Sequence, residues 1–312
     1  MNILVTGGAG FIGSHLAEAL VRKGHRVRVL DDFSSGRPEN LRHLGRAIQV
    51  VEGDCADPRA AARAVKGVEV VYHEAAQPSV ARSVAEPLGS HRANATGTLT
   101  LLEAARQAAV RRFLYAGSSS VYGDAPGLPK RETAETFPLS PYGVGKLVGE
   151  HYLRIYAHLH GMETLTLRYF NVFGPRQDAG SPYSGVISLF ITALLSGRVP
   201  VIYGDGRQTR DFTYVDNVVD ANLRALTARG LRGQSVNVAT GRRVTLLELL
   251  KGVARETGRP AKPRHAPARP GDIRHSVADF ARARKLLGYR VVCGFEEGLR
   301  RTVEWYRASS AR

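Results

Sequence analysis

Six short apolar runs that do not alternate with polar residues constrain this chain more than any other feature. They are Asn2–Thr6, Val27–Leu30, Ile48–Val51, Val68–His73, Phe113–Ala116 and Thr164–Arg168. Stretches of helical spacing separate them, near Phe11–Lys23, Pro58–Val65, Pro87–Ala108 and Pro141–His160. A strand that is apolar on both faces must be covered on both, and strands joined through helices run parallel. The expectation is an α/β fold built on a doubly wound parallel sheet. After residue 170 the texture changes: Asn171–Tyr183 reads as loop, Gly185–Ser196 as helix, and Arg255–Gly271 as a basic, proline-rich connection. This divides the 312 residues into a nucleotide-binding domain over 1–170 and a smaller α/β substrate-binding domain over 171–312. The chain is expected to cross back to the first near 213–238.

The first strand runs into Thr6-Gly7-Gly8-Ala9-Gly10-Phe11-Ile12-Gly13. Glycines at 7, 10 and 13 lie close to the spacing of a dinucleotide turn, in which bare backbone approaches a pyrophosphate at a helix N-terminus. Phe11 and Ile12 open that helix. Glycine turns also serve packing alone, but here strand, turn and helix come in the required order, which makes the sheet Rossmann-type. Asp31 ends the second strand about 20 residues on, where a carboxylate accepts a ribose 2′-hydroxyl and repels a 2′-phosphate. NAD is therefore expected over NADP. Asp54 follows the third strand and is a candidate adenine contact, or equally a turn residue.

Tyr142 and Lys146 are four apart near the start of a helix that Ser140 can cap and Pro141 can open. That spacing puts phenol and ammonium on one face. A tyrosine ionises near pH 10, so a base at neutral pH needs its pKa lowered by roughly three units, about 4 kcal/mol. Lys146 and a positively charged nicotinamide are expected to supply this. Ser118, Ser119 and Ser120 follow the Phe113–Ala116 run, at the strand end where open α/β sheets place reacting groups. One of the three hydroxyls can share a substrate oxygen with Tyr142, and at least one is expected to cap the next segment.

Composition excludes several classes. No apolar run approaches the ~20 residues of a membrane span, and the first residues do not read as a secretory signal. Cys55 and Cys293 are the only cysteines, too few for a disulfide scaffold, which fits a cytoplasmic setting. His151, His158 and His160 share a helix without metal-ligand spacing, so no metal is expected. The net charge is +16, yet only seven of the 44 basic residues are Lys and no dense basic block interleaves with aromatics. The basic surface reads as solvated and helpful to anionic small substrates, not as a nucleic-acid face.

Taken in order, TGGAGFIG, Asp31, GSSSVYG, SPYGVGK, RYFNVFGPRQ and GDGRQTRDFTYVDN resemble the extended short-chain dehydrogenase/reductases that act on nucleotide sugars. The resemblance covers nearly the whole chain and is closest to the UDP-glucose 4-epimerase group. It implies Tyr142 as base, Lys146 orienting cofactor and tyrosine, and Ser118 as the hydroxyl contact. It also implies Asn171, Arg210 and Arg269 as diphosphate contacts, and Asp272 on the nucleoside ribose. Dehydratases of this family carry Asp-Glu just before Val121-Tyr122-Gly123, and decarboxylases carry Glu; here Ser119 and Ser120 stand there. Neither serves as the acid or base of an elimination. Where members restricted to plain UDP-hexoses carry a large Tyr, three residues before Asp279 of the Ala278-Asp279 pair, this chain has Ser276. The resemblance thus implies a homodimeric 4-epimerase with bound NAD, acting on UDP-glucose and UDP-galactose, with room for the N-acetylhexosamine pair. A dehydratase, decarboxylase or ketoreductase of the same fold, and a non-catalytic NAD-binding sensor, are the alternatives.

Overall fold

The structure is a computed structural model that describes residues 1–178, 185–268 and 273–310. Seven parallel strands form its main sheet: β1 (Asn2–Thr6), β2 (Arg26–Asp31), β3 (Ile48–Glu52), β4 (Val70–His73), β5 (Arg112–Ser118), β6 (Glu163–Tyr169) and β7 (Gln234–Val238). Their spatial order is β7-β6-β5-β4-β1-β2-β3, which reverses direction of growth between β1 and β4. The helices are α1 (Phe11–Arg22), α2 (Pro58–Val65), α3 (Gly97–Gln107), α4 (Pro141–His160), α5 (Val186–Leu195), α6 (Val215–Thr227), α7 (Leu246–Thr257), α8 (Ala281–Leu287) and α9 (Phe295–Ser310). Two short helices, Val80–Ala85 and Pro87–His91, precede α3.

The absence of alternation has a direct cause in β1. Ile3 and Val5 pack with Leu16, Ala17 and Leu20 of α1 and with Val218 and Ala221 of α6. Leu4, between them, packs on the opposite face with Ala60 and Ala64 of α2 and Leu101 of α3. Both faces of the sheet are thus buried, and burying each such side chain contributes roughly 1.5–3 kcal/mol. A second core lies among α5, α7 and α9, where Ile191, Leu249, Leu299 and Phe212 are almost wholly buried. Short two-stranded ladders link the two bodies, among them Val172–Phe173 paired in parallel with Thr213–Tyr214. No helix among the described residues is long and apolar enough to cross a membrane.

The helix expected over Pro87–Ala108 is interrupted. A wide π turn spans Arg92–Thr96 before α3 begins. It turns the Asn94 amide inward, where it accepts the Gln77 N–H at 3.1 Å and donates to the Gln77 carbonyl at 3.2 Å. A regular helix would move that side chain around the axis and lose both bonds.

Candidate active site

The β1–α1 turn is built from close backbone approaches. Gly7 has φ +64°, and a Cβ there would lie 2.7 Å from the Ala75 backbone that follows β4. A Cβ on Gly13 would lie 2.2 Å from the Gly7 carbonyl oxygen. Gly10 is the N-cap of α1 and no side chain closes that helix end, which leaves the first-turn N–H groups at Phe11, Ile12 and Gly13 able to receive an anion. Asp31, at the tip of β2, is buried; its Oδ2 accepts the Ala9 N–H at 2.8 Å and its Oδ1 the Phe33 N–H at 2.9 Å. Burial raises its pKa, opposed by those two N–H donors. Asp54 accepts the Ala56 N–H at 2.7 Å and pairs with Arg92 at 2.7 Å, so it shapes the turn after β3.

Tyr142, Lys146 and Ser118 come together at the ends of β5 and α4. Ser140 Oγ accepts the Gly143 N–H at 3.1 Å and Pro141 opens the helix, which sets Tyr142 in its first turn. Ser118 faces the Tyr142 phenol closely enough to oppose the rise of its pKa. Ser118 Oγ also accepts the Ser120 N–H at 3.2 Å and the Ser120 hydroxyl at 2.9 Å, so it caps the next turn as well as facing the phenol. Lys146 is 2% exposed; its ammonium donates to the Ala116 carbonyl at 2.9 Å and lies 4.9 Å from the Tyr115 ring centre and 6.0 Å from that of Tyr142.

Burial raises the Tyr142 pKa, and only Ser118 opposes it. The Lys146 ammonium, held on the Ala116 carbonyl, is itself disfavoured by burial, down to about 8. A half-buried carboxylate that sequence reasoning passed over, Glu74, follows β4 beside this group and accepts the Tyr169 hydroxyl at 2.8 Å.

On the second body, Asn171 adopts φ +34° and its amide donates to the Asp211 carbonyl at 3.3 Å. Arg210 donates to the Thr209 carbonyl at 2.9 Å. Ser276 runs alongside, its N–H on the Thr209 carbonyl at 3.1 Å, so Arg210 and Ser276 share one edge. Arg269 and Asp272 lie outside the described residues. Asp211, also missed in sequence, is fully buried and knots three segments: it accepts from Thr240, Gly241 and Ala278 at 2.7–3.2 Å. Its place within RDF-x-Y-V-D was the available signal. Cys55 is buried with its thiol pushed up to about 12, the state of an inert hydrophobe.

The NAD dependent epimerase/dehydratase family profile matches residues 3–239. The UDP-glucose 4-epimerase of Mycolicibacterium smegmatis is 43% identical over 314 residues, covering 99% of this chain and 100% of that protein. Among solved structures, the UDP-glucose 4-epimerase of Thermotoga maritima with UDP-glucose matches at a TM-score of 0.95 and 40% identity, over 99% of this chain and 100% of that one. The UDP-N-acetylglucosamine 4-epimerase of Methanobrevibacter ruminantium with UDP-N-acetylmuramic acid matches at 0.94 and 38%, over 99% and 98%. With the family profile over residues 3–239 and relatives matching from end to end, the chain belongs to the NAD-dependent epimerase/dehydratase family, as a UDP-glucose 4-epimerase-like isomerase.

Proposed function

We propose that the protein interconverts the C4 epimers of a UDP-hexose, UDP-glucose and UDP-galactose first, through a transient 4-keto sugar. The observation that carries this reading is the convergence of Tyr142, Ser118 and buried Lys146 at the sheet end where the glycine turn opens. NAD fits the crevice: the turn at Gly7 and Gly13 excludes any Cβ, α1 begins uncapped by a side chain, and Asp31 closes β2 with a carboxylate. Bound there, NAD supplies the acceptor and then the donor of the C4 hydride.

Tyr142 takes the proton of the sugar 4-hydroxyl and gives it back on the return step, while Ser118 hydrogen-bonds the same oxygen. Asn171, Arg210 and Arg269 hold the diphosphate and Asp272 the ribose, so that the 4-keto sugar can turn without leaving. Arginine suits this role because its planar fork makes paired, charged hydrogen bonds. Asp54 stands toward the adenine. Ser276, in place of a ring, extends the reading to the N-acetylhexosamine pair. A homodimer belongs to the same reading, supported by a stripe of exposed Val144, Ile155 and Leu159 along α4 and by Val84 and Leu88 on the short helices beside it. So does a cytoplasmic setting, in which both buried cysteines stay free.

The test is proton NMR of UDP-glucose incubated with the purified protein. UDP-galactose is the expected product, and Tyr142→Phe should keep its bound NAD while losing about a hundredfold or more in turnover. A 4-keto-6-deoxy sugar, or carbon dioxide from UDP-glucuronate, would instead make the protein a dehydratase or decarboxylase. Wild-type turnover by Tyr142→Phe would remove that residue from the chemistry.

A further inference from the structure

Glu74 is a carboxylate on the tip of a central strand, with a position that nothing in the reaction above uses. β4 and β5 are in register through His73 and Tyr115, so Glu74 follows at the level of Ala116, whose carbonyl holds the Lys146 ammonium. On its other side, Ala75 touches the glycine turn at Gly7. The carboxylate is oriented by a chain of fixed donors. Asn222 Nδ2 donates to the Tyr169 oxygen at 2.8 Å, so the Tyr169 hydrogen turns to Glu74 Oε1, also at 2.8 Å. Tyr169 is paired with Ser118 across β5 and β6. Glu74 is thereby held among the glycine turn, the Ser118 strand tip and the Ala116 carbonyl that anchors Lys146.

We propose that Glu74 is a positioning residue for the Tyr142–Lys146 pair: its carboxylate, aimed by Tyr169, keeps Lys146 in the ammonium form beneath the phenol. The inference rests on the reading of Tyr142 and Lys146 given above, and names a third residue that acts through them.

The surrounding charges leave Glu74 this task. From β4 itself, Tyr72 is a neutral phenol with its pKa raised, and His73 is neutral, its pKa lowered by burial to about 3. From β6, Tyr169 is a neutral phenol with its pKa raised well above the ordinary value. From α4 come Tyr142, neutral, and Lys146, whose positive charge opposes the rise of Glu74. The other carboxylate near Lys146 is Glu150, which Arg168 already pairs at 2.7 Å. Burial lowers Lys146 to about 8, and Glu74 is the leading charge that opposes the fall. Burial raises Glu74 to about 7, opposed by the Tyr169 hydrogen bond and by Lys146. Removing the Glu74 charge must therefore release the Lys146 proton at lower pH.

The experiment is a pH titration of the full chain, as purified, grown with ε-13C lysine. Seven lysines give seven signals, and loss of one in Lys146→Met assigns it. In Glu74→Gln the Lys146 midpoint should fall by about one unit, and the alkaline limb of turnover should move down by the same amount. Tyr169→Phe, which keeps the charge and frees its aim, should show a smaller fall in the same direction and serves if Glu74→Gln does not fold. A Lys146 midpoint that stays in place in either variant overturns the proposal. So does a Glu74→Gln enzyme slowed equally at every pH, since that is the mark of a merely structural side chain. The lysine signal is read without substrate: if it moves while no sugar is epimerised, the reading of the reaction fails and the Glu74–Lys146 coupling stands.

Discussion

The Tyr142 phenol is harder to ionise in the folded chain than in water, because burial disfavours its anion more than Ser118 favours it. On the proposed reading the oxidised cofactor adds its positive charge to that of Lys146, which ties activation of the base to occupancy of the crevice. Ser276 poses a different question, one of volume. Its N–H is fixed on Thr209 while its side chain is small and half-buried beside Arg210. Ser276→Tyr should suppress turnover of UDP-N-acetylgalactosamine and spare UDP-galactose, measured as separate kcat/KM values. A wild-type enzyme with no turnover of the N-acetyl sugar would show that neighbouring side chains refill the space, as well-packed proteins tend to do. Tyr142, Lys146 and Ser118 were legible in the sequence because a four-residue helix spacing and a strand end are local patterns. Glu74 and Asp211 were not, since their partners Tyr169 and Ala278 lie 95 and 67 positions away. The direction of the Tyr142 shift was also out of reach, because desolvation depends on which distant segments cover the ring.

Elements were legible to the extent that both of their faces repeat a rule. β1, β2, β4, β5 and β6 announced themselves as apolar runs because each buries both faces, and β3 reads the same way although it is the sheet edge with Val50 exposed. The ladder Val172–Phe173 with Thr213–Tyr214 is two residues long and carries no period to read. Arg112 opens β5, yet it is 3% exposed and caps the end of α6, donating to the carbonyls of Ala225, Leu226 and Ala228 while pairing with Glu163 at 2.8 Å. These carbonyls are the orphan acceptors of a helix C-terminus, here out of reach of water. Arg112→Ala should destabilise the fold by about 3 kcal/mol, since it leaves several buried acceptors unpaired at once. Urea unfolding should show this as a lower midpoint with an unchanged slope. A loss under about 1 kcal/mol would mean that water reaches those carbonyls.

At the scale of the whole molecule, stability must depend on pH through groups whose protonation changes on unfolding. His73 is the clearest of these. It is fully buried at the end of β4, bonded to Thr6 Oγ1 at 2.7 Å and Thr98 Oγ1 at 3.0 Å, and stacked on Tyr115. Burial lowers its pKa from 6.5 to about 3. The folded chain therefore keeps this ring neutral at pH values where the unfolded chain has already protonated it. Its contribution to stability is complete above about pH 6.5 and is lost progressively as pH falls toward 3. Within that window one extra proton binds the unfolded state, which lowers stability by about 1.4 kcal/mol per pH unit. Other groups also act in this range: Glu74, with its pKa raised to about 7, works in the opposite direction, and self-repulsion of a chain at +16 grows with acid. A comparison of slopes separates His73 from them. His73→Gln should be less stable at neutral pH, because the stacking and fit of the ring are lost. Between pH 6.5 and 5, its unfolding free energy should nevertheless fall less steeply than that of the wild type, by about 1.4 kcal/mol per unit. Chemical denaturation at fixed ionic strength and fixed cofactor saturation measures both slopes. Parallel slopes would mean that His73 takes up its proton inside the fold, and that the two threonine hydroxyls accommodate an imidazolium.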